Sequence, residues 1–164
     1  MSSEEARELV LQLVDDFLNG RMASIGFMRS MREIKQKCPE AFEPDPELGA
    51  AVVMGFGRHV SGRDLMGALL EYEGFVVRLV DIGVDNRKVV EMCQEPDVRA
   101  LFISVQTLET VERMKDLMRE LKDTPARKRI VVNIGGVAIS PYIAKSVGAD
   151  VYASTAVESV RLVA

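Results

Sequence analysis

The sequence predicts an α/β protein built on a flavodoxin-like, doubly wound, five-stranded parallel sheet with a short N-terminal helical appendage. From Gly49 onward, short apolar runs rich in Val and Ile alternate five times with amphipathic segments. The runs lack an apolar–polar alternation, which is typical of strands that are buried on both faces. A helix between successive strands makes those strands parallel, and such helices cover both faces of the sheet.

Length and composition indicate an ordinary globular protein of about one domain. The chain has 164 residues, of which 48% are hydrophobic and 28% charged. No apolar run approaches the roughly 18 residues of a membrane span, and the polar start "MSSEEARELV" lacks the features of a signal peptide. These observations predict a cytoplasmic protein with no membrane partner.

The charge distribution disfavours nucleic acid as a partner. The net charge is −4, and residues 1–48 carry ten acidic and six basic residues, whereas residues 49–164 carry fifteen of each. Neither part is basic enough to hold a phosphate backbone by counterion release. Cys38 and Cys93 form no CxxC pair, so we expect buried thiols in a reducing compartment rather than a structural zinc site.

Residues 1–48 are expected to form the helical appendage and a linker. The stretch "SSEEARELVLQLVDDFLNG" has helical apolar spacing and ends at Asn19-Gly20, a typical helix stop. A second helix is predicted in "MASIGFMRSMREIKQKC", and its methionines Met22, Met28 and Met31 are expected to pack between helices. The segment "PEAFEPDPELG" holds three prolines and four acidic residues, which favours a linker.

Residues 49–164 are expected to form the α/β domain. Each predicted strand is followed by a predicted helix, and the last helix begins near the end of the chain. The predicted pairs are strand 50–54 with helix 62–72, strand 75–81 with helix 86–94, strand 98–105 with helix 108–122, strand 129–134 with helix 140–147, and strand 150–155 with the last helix.

The loop "GFGRHVSGRD", residues 55–64, contains the only histidine of the chain, His59. A structural explanation is available for much of this loop. Its glycines permit a tight turn, and Ser61 followed by Asp64 fits a helix-capping pattern. That explanation leaves His59 and its neighbours Arg58 and Arg63 without a role.

The fold supplies a second interpretation, because ligands of such sheets bind at the carboxyl ends of the strands. His59 follows the first predicted strand, Ser104 and Gln106 close the third, and Gly135-Gly136 follow the fourth. All of these residues therefore fall at one edge of the sheet. Their convergence predicts a ligand-binding cleft there, with His59 facing it.

Other families with this architecture fit poorly. A phosphorylated receiver domain needs an acidic cluster after strand one and an aspartate after strand three, where this chain has Gly-Phe-Gly and Ser104. A dinucleotide-binding loop needs a third glycine where Val60 stands, although Asp81 could serve as a ribose-binding acid. A hydrolase would need a nucleophile beside the histidine, and the sequence places none there.

The stretch from Gly49 to Val163 resembles the cobalamin-binding domain of methionine synthase, corrinoid methyltransferase carrier proteins and adenosylcobalamin mutases. The similarity includes "GRHVSG" (57–62) at the position of the family's D-x-H-x-x-G loop and "EGFVVRLVDIGVD" (73–85) after the first helix. It also includes Ser104 at the S-x-L position and "IGGVAISPYIAKSVGADVYASTAVESV" (134–160). The resemblance covers about 70% of the chain.

The resemblance implies a corrinoid cofactor, cobalamin, with His59 as the lower axial ligand of cobalt. A neutral imidazole nitrogen is a suitable donor for this metal. Two groups of residues would surround the cofactor. The loop would contribute Gly57, Arg58, Val60, Ser61 and Gly62, and the slot for the nucleotide tail would be lined by Ser104, Gln106, Gly135, Gly136 and Thr155.

Two positions depart from the family pattern. Gly57 replaces the aspartate that normally holds the far imidazole nitrogen, and loss of such a partner typically costs about 10–100-fold in metal affinity or activity. Gln106 replaces the leucine of S-x-L and makes the tail slot more polar. We therefore expect His59 to coordinate cobalt more weakly than in the family, with Ser104 as a partial substitute.

Three functions remain open from the sequence. The first is a carrier that presents cobalamin to a separate methyltransferase or mutase, and the second is a sensor that binds cobalamin or haem and acts on a signalling protein. The third is a degenerate interaction module without a cofactor. None makes the chain a complete enzyme by itself. The two-helix appendage is shorter than the family's helical cap, and it could be completed by a second copy in a homodimer or could serve for docking.

Overall fold

The computed structural model describes residues 1–58 and 60–153, and within these ranges it contains a four-stranded parallel sheet. The strand order is β2–β1–β3–β4, and every pair is parallel. This confirms the predicted α/β class with a parallel sheet. The strands are β1 (Ala50–Phe56), β2 (Val76–Leu79), β3 (Val98–Val105) and β4 (Val131–Gly135).

Helices cover both faces of the sheet. On β1, Ala51 and Val53 face one hydrophobic core, and Val52 and Met54 face the other. The first core is covered by α3 (Ser61–Glu73), and the second by α4 (Asn86–Cys93), α5 (Leu108–Lys122) and α6 (Pro141–Ser146). Two-sided burial explains why the strand sequences are continuous apolar runs.

The predicted fifth strand is wrong for the described residues, where residues 150–153 contribute a single parallel bridge between Val151 and Asn133. The carboxylate of Asp150 accepts a hydrogen bond from the Val132 N–H at 2.8 Å. This N–H is therefore not available for a backbone hydrogen bond to a neighbouring strand. Arg127 Nη1 holds the same carboxylate at 2.9 Å. The bridge lies beside β4.

The N-terminal helices are α1 (Ser3–Leu18) and α2 (Ser24–Lys37). α1 begins with a capping box between Ser2 and Glu5 and ends at Asn19, which is followed by Gly20 with φ of 71°. The predicted helix stop is therefore confirmed. The three methionines pack as expected, with Met31 buried and Met22 and Met28 partly buried against the same core.

The segment after α2 is packed against the rest of the protein. A 3₁₀ turn (Pro39–Phe42) follows α2, and Phe42 is buried with its ring centroid 5.4 Å from that of Tyr72 on α3. α1, α2, this turn and α3 share one core with Ala51 and Phe102 of the sheet. The boundary at residue 49 stays a prediction.

Both cysteines are buried and neither forms a disulfide. Burial raises the pKa of the Cys93 thiol to about 12, because the surroundings disfavour the thiolate. Among the described residues, no helix combines the length and the apolar character that a bilayer crossing requires.

Candidate functional site

The carboxyl ends of β1, β3 and β4 lie side by side and bring together residues that are distant in sequence. In the parallel register, Gly55 is paired with Ser104, and Ser104 is paired with Gly135. Gln106 and Gly136 therefore follow neighbouring strands at the same edge. The structure confirms the predicted convergence of these positions.

The loop after β1 is only partly described, because His59 lies outside the described residues. Gly57 adopts a left-handed conformation with φ of 85° and is half-buried, and Arg58 is exposed. Val60 occupies the N-cap position of α3, and its carbonyl accepts the Asp64 N–H at 2.9 Å. Ser61 is the first helical residue and makes no capping hydrogen bond, so the predicted Ser61 cap is wrong.

Arg63 ties the first turn of α3 to the end of β2. Its Nη1 donates to the Val80 carbonyl at 2.7 Å, and its Nε donates to Asp64 Oδ1 at 2.9 Å. The Asp64 carboxylate thus pairs with the neighbouring arginine instead of completing a capping box. Because the Arg63 side chain is only 14% exposed, this contact fixes the end of the loop to the sheet.

Ser104, Gln106 and Gly62 meet on one face of the sheet. Gln106 Nε2 donates to Ser104 Oγ at 2.6 Å, and Ser104 is 4% exposed. A Cβ atom added at Gly62 would lie 2.6 Å from Ser104 Oγ and 3.2 Å from Gln106 Nε2. A side chain at residue 62 would therefore clash with this polar pair.

The two glycines after β4 have different structural roles. Gly136 has φ of 115°, and a Cβ there would lie 2.2 Å from the Val105 carbonyl oxygen. Residue 136 must therefore be glycine for the chain to pass the end of β3. Gly135 leaves the wall beside Ser104 free of a side chain, although the Ala153 carbonyl oxygen lies 3.1 Å from the position of a Cβ.

Asn133 is a further polar residue on this face, and the sequence analysis did not select it. It is paired with Phe102 in the sheet, one layer below the Ser104–Gly135 pair. The side chain is fully buried, and Oδ1 has no hydrogen-bond partner among the described residues. Its Nδ2 lies 3.5 Å from the Val151 carbonyl oxygen, which is at the limit of a hydrogen bond.

A cavity of about 550 Å³ opens at the same edge but on the α4–α5 side of the sheet. Gly57 and Arg58 line it from β1, and Asp81 lines it from the end of β2. Thr107 and Thr110 share a hydrogen bond of 3.1 Å at its wall, and the Arg113 guanidinium lies 5.5 Å from the centroid of the Phe56 ring. The cavity thus carries charges of both signs and hydroxyl groups.

Asn133, Arg113 and the threonine pair were not predicted from the sequence. A polar residue inside the apolar run "VVNIG" was a usable signal for Asn133. No comparable signal existed for Arg113, because only the folded chain places it over Phe56. Thr155, which was predicted to line the slot, lies outside the described residues.

Comparisons with known proteins find similarity to corrinoid proteins. No protein-family model matches the chain. The chain is 30% identical over 102 residues to dimethylamine corrinoid protein 3 of Methanosarcina acetivorans. The aligned residues make up 62% of this chain and 48% of that protein, so the chain spans about half the length of the curated relatives it matches.

The chain is similar to corrinoid proteins in sequence and to cobalamin-binding proteins in fold. Two solved structures share the fold of this chain. A cobalamin-binding protein from Desulfitobacterium hafniense has a TM-score of 0.75 and 22% identity, and the match covers 97% of this chain and 82% of that one. The methanol:cobalamin methyltransferase complex from Methanosarcina barkeri has a TM-score of 0.72 and 18% identity. The match covers 94% of this chain and 62% of that chain.

Two observations on the described residues bear on whether a corrinoid fits at this edge. Gly135 presents backbone without a side chain next to Ser104, whereas at Gly62 the Ser104–Gln106 pair already fills the space that a side chain would take. Asn133 provides a buried acceptor that has no donor among the described residues. The haem alternative finds no support among these relatives, whose names refer to corrinoids or cobalamin.

Proposed function

We propose that the protein is a corrinoid carrier that holds cobalamin with His59 as the lower axial ligand and presents it to a separate methyltransferase. One observation carries the proposal. In a chain similar to a corrinoid protein, Gly62, Ser104, Gln106 and Gly135 meet at the sheet edge that the His59 loop also reaches. When bound, the corrinoid supplies a cobalt centre that accepts and donates a methyl group.

The loop would hold the cofactor through His59 without an aspartate at residue 57. A Cβ at Gly57 would have Thr110 Cγ2 as its nearest neighbour at 3.5 Å, so a side chain has room there. Ser104 Oγ accepts a hydrogen bond from Gln106 and keeps its own hydroxyl proton to donate. We expect His59 to bind cobalt more weakly than it would with a carboxylate partner, because such partners orient the imidazole ring and raise its basicity.

The remaining site residues would position the cofactor around this ligand. Arg63 holds the start of α3 against β2, so Val60, Ser61 and Gly62 have a fixed place beside the loop. Arg58 is exposed at the same edge, where it can reach the polar rim of a corrin. Thr155 would contribute to the tail slot from the last part of the chain.

A methyltransferase is the proposed partner, and a homodimer remains a prediction. One structure with the same fold is a methanol:cobalamin methyltransferase complex, which supports a carrier that works beside a separate enzyme. The helical pair α1–α2 shares one core with α3, whose first turn lies at the predicted cofactor edge. This position suits contact with a partner protein, and the chain is proposed to be a cofactor-carrying subunit rather than a complete enzyme.

The proposal is tested by titrating the purified protein with hydroxocobalamin and following the absorption spectrum, with haemin titrated in parallel. We expect saturable cobalamin binding with a histidine-dependent spectral shift that is absent in His59→Ala. Lys122→Ala, in the last turn of α5 at the opposite edge of the sheet, serves as the matched control and should behave like the wild type.

Either of two results would contradict the proposal. Absence of saturable cobalamin binding would remove the carrier function. A spectral shift that is unchanged in His59→Ala would leave corrinoid binding in place but would exclude His59 as the cobalt ligand.

A further inference from the structure

Asn133 is a fully buried polar side chain whose carbonyl oxygen has no partner in the described part of the chain. Its neighbours in β4, Val132 and Ile134, are apolar and point to the opposite core. A buried acceptor without a donor is unfavourable, and folded proteins rarely retain one without a reason. The side chain therefore calls for a donor that the described residues do not supply.

The location of Asn133 connects it to the candidate site. Parallel pairing with Phe102 puts its side chain on the face that also carries Ser104 and Gly62. Ser104 and Gly135 lie one layer nearer to the carboxyl edge, about 6.6 Å away along the strand. Asn133 thus lies directly below the polar pair that Gln106 and Ser104 form.

We propose that Asn133 recognises the base of the corrinoid's nucleotide tail and that the protein selects a base carrying an N–H or O–H donor. The inference rests on the proposed function, because the tail must enter beside Ser104 on this face. The donor would satisfy Asn133 Oδ1, and the weakly held Nδ2 could give a second hydrogen bond to an acceptor on the base.

The chemistry of possible bases makes this inference specific. The benzenoid edge of dimethylbenzimidazole, the base of cobalamin, carries two methyl groups and no donor. Adenine carries an exocyclic amino group, and a hydroxylated benzimidazole carries an O–H. A site that holds an unpaired buried acceptor discriminates against a ligand that lacks the matching donor.

The test measures the dissociation constants of three corrinoids by absorption titration. One has a dimethylbenzimidazole tail, one has an adenine tail, and the third, cobinamide, has no nucleotide tail. We expect the wild type to bind the adenine form about tenfold more tightly than the dimethylbenzimidazole form, as one net hydrogen bond allows. In Asn133→Leu this preference should be lost, while cobinamide affinity should not change.

Val131→Leu is the matched control, because Val131 lies on the same strand and face as Asn133, one layer further from the carboxyl edge. Equal wild-type affinities for the two tailed corrinoids, with cobinamide also bound, would overturn this inference and leave the proposed function intact. Retention of the adenine preference in Asn133→Leu would likewise exclude Asn133 as the residue that reads the base. Failure of all three corrinoids to bind would overturn the proposed function and this inference together.

Discussion

Replacement of Asn133 by Leu is predicted to stabilise the cofactor-free protein, although a polar contact is removed. Leu places two methyl groups where the amide nitrogen and oxygen now lie. The change eliminates a buried carbonyl without a described partner, whose burial costs about 1–3 kcal/mol. The Val151 carbonyl oxygen loses a weak contact at 3.5 Å but keeps the Ile134 N–H at 3.2 Å.

We therefore expect the free energy of unfolding to rise by about 1–2 kcal/mol. For a chain of this length, that rise corresponds to an increase in Tm of roughly 2–8 °C. Urea unfolding followed by circular dichroism measures the change. The midpoint should move to higher urea concentration with an unchanged slope, because the surface exposed on unfolding is nearly the same.

Two controls make the result interpretable. Val131→Leu alters the size of a side chain on the same strand without removing a polar group and should change stability little. Asn133→Val is smaller than Leu and tests whether any loss of stability comes from crowding. Lower stability in both Asn133 variants would refute the reasoning, since it would mean that the amide is fully hydrogen-bonded in the free protein, for example by buried water.

Two further predictions concern Gly57 and Cys93. Gly57→Asp should lower the free energy of unfolding by about 1 kcal/mol, because φ at this residue is 85°. The same change should tighten hydroxocobalamin binding about tenfold or more, because it gives His59 a carboxylate partner. Weaker binding in the titration would show that the loop needs glycine. Since burial raises the pKa of Cys93 from 9.0 to about 12, its contribution to stability is complete below pH 9 and is lost progressively as the pH rises from 9 to 12. Urea midpoints at pH 8 and 10 should therefore differ more in the wild type than in Cys93→Ala, and rapid reaction of native Cys93 with a thiol reagent at pH 8 would contradict its burial.

Much of the fold could be predicted because the local signals and the tertiary structure agree. β3 and α5 match their predicted bounds residue for residue, since a mostly apolar run is followed by a clear helical period. The edge that gathers Ser104, Gln106 and Gly135 followed from the parallel topology alone. Sequence periodicity was sufficient for these features.

The features that were predicted wrongly or not at all depend on hydrogen bonds of single side chains, which the spacing of apolar residues does not indicate. Asp150 uses its carboxylate on the Val132 N–H, and the described part of the predicted fifth strand, residues 150–153, forms a single bridge. Asp64 pairs with Arg63, so the capping pattern at Ser61 is not used. Asn133 was visible as a polar residue in an apolar run, but its missing partner became apparent only from the folded structure.

The N-terminal helices are connected to the cofactor edge through α3, because they share a core with that helix and its first turn lies at the edge. α3 is about 20 Å long. Near its C-terminal end Tyr72 contacts Phe42, and in its first turn Arg63 donates a hydrogen bond to the Val80 carbonyl at the end of β2. A protein that binds α1 or α2 therefore contacts elements that pack on α3. The first turn of α3 carries Gly62. Docking on the helices can in this way steady or displace the loop that precedes α3, without the partner touching the cofactor.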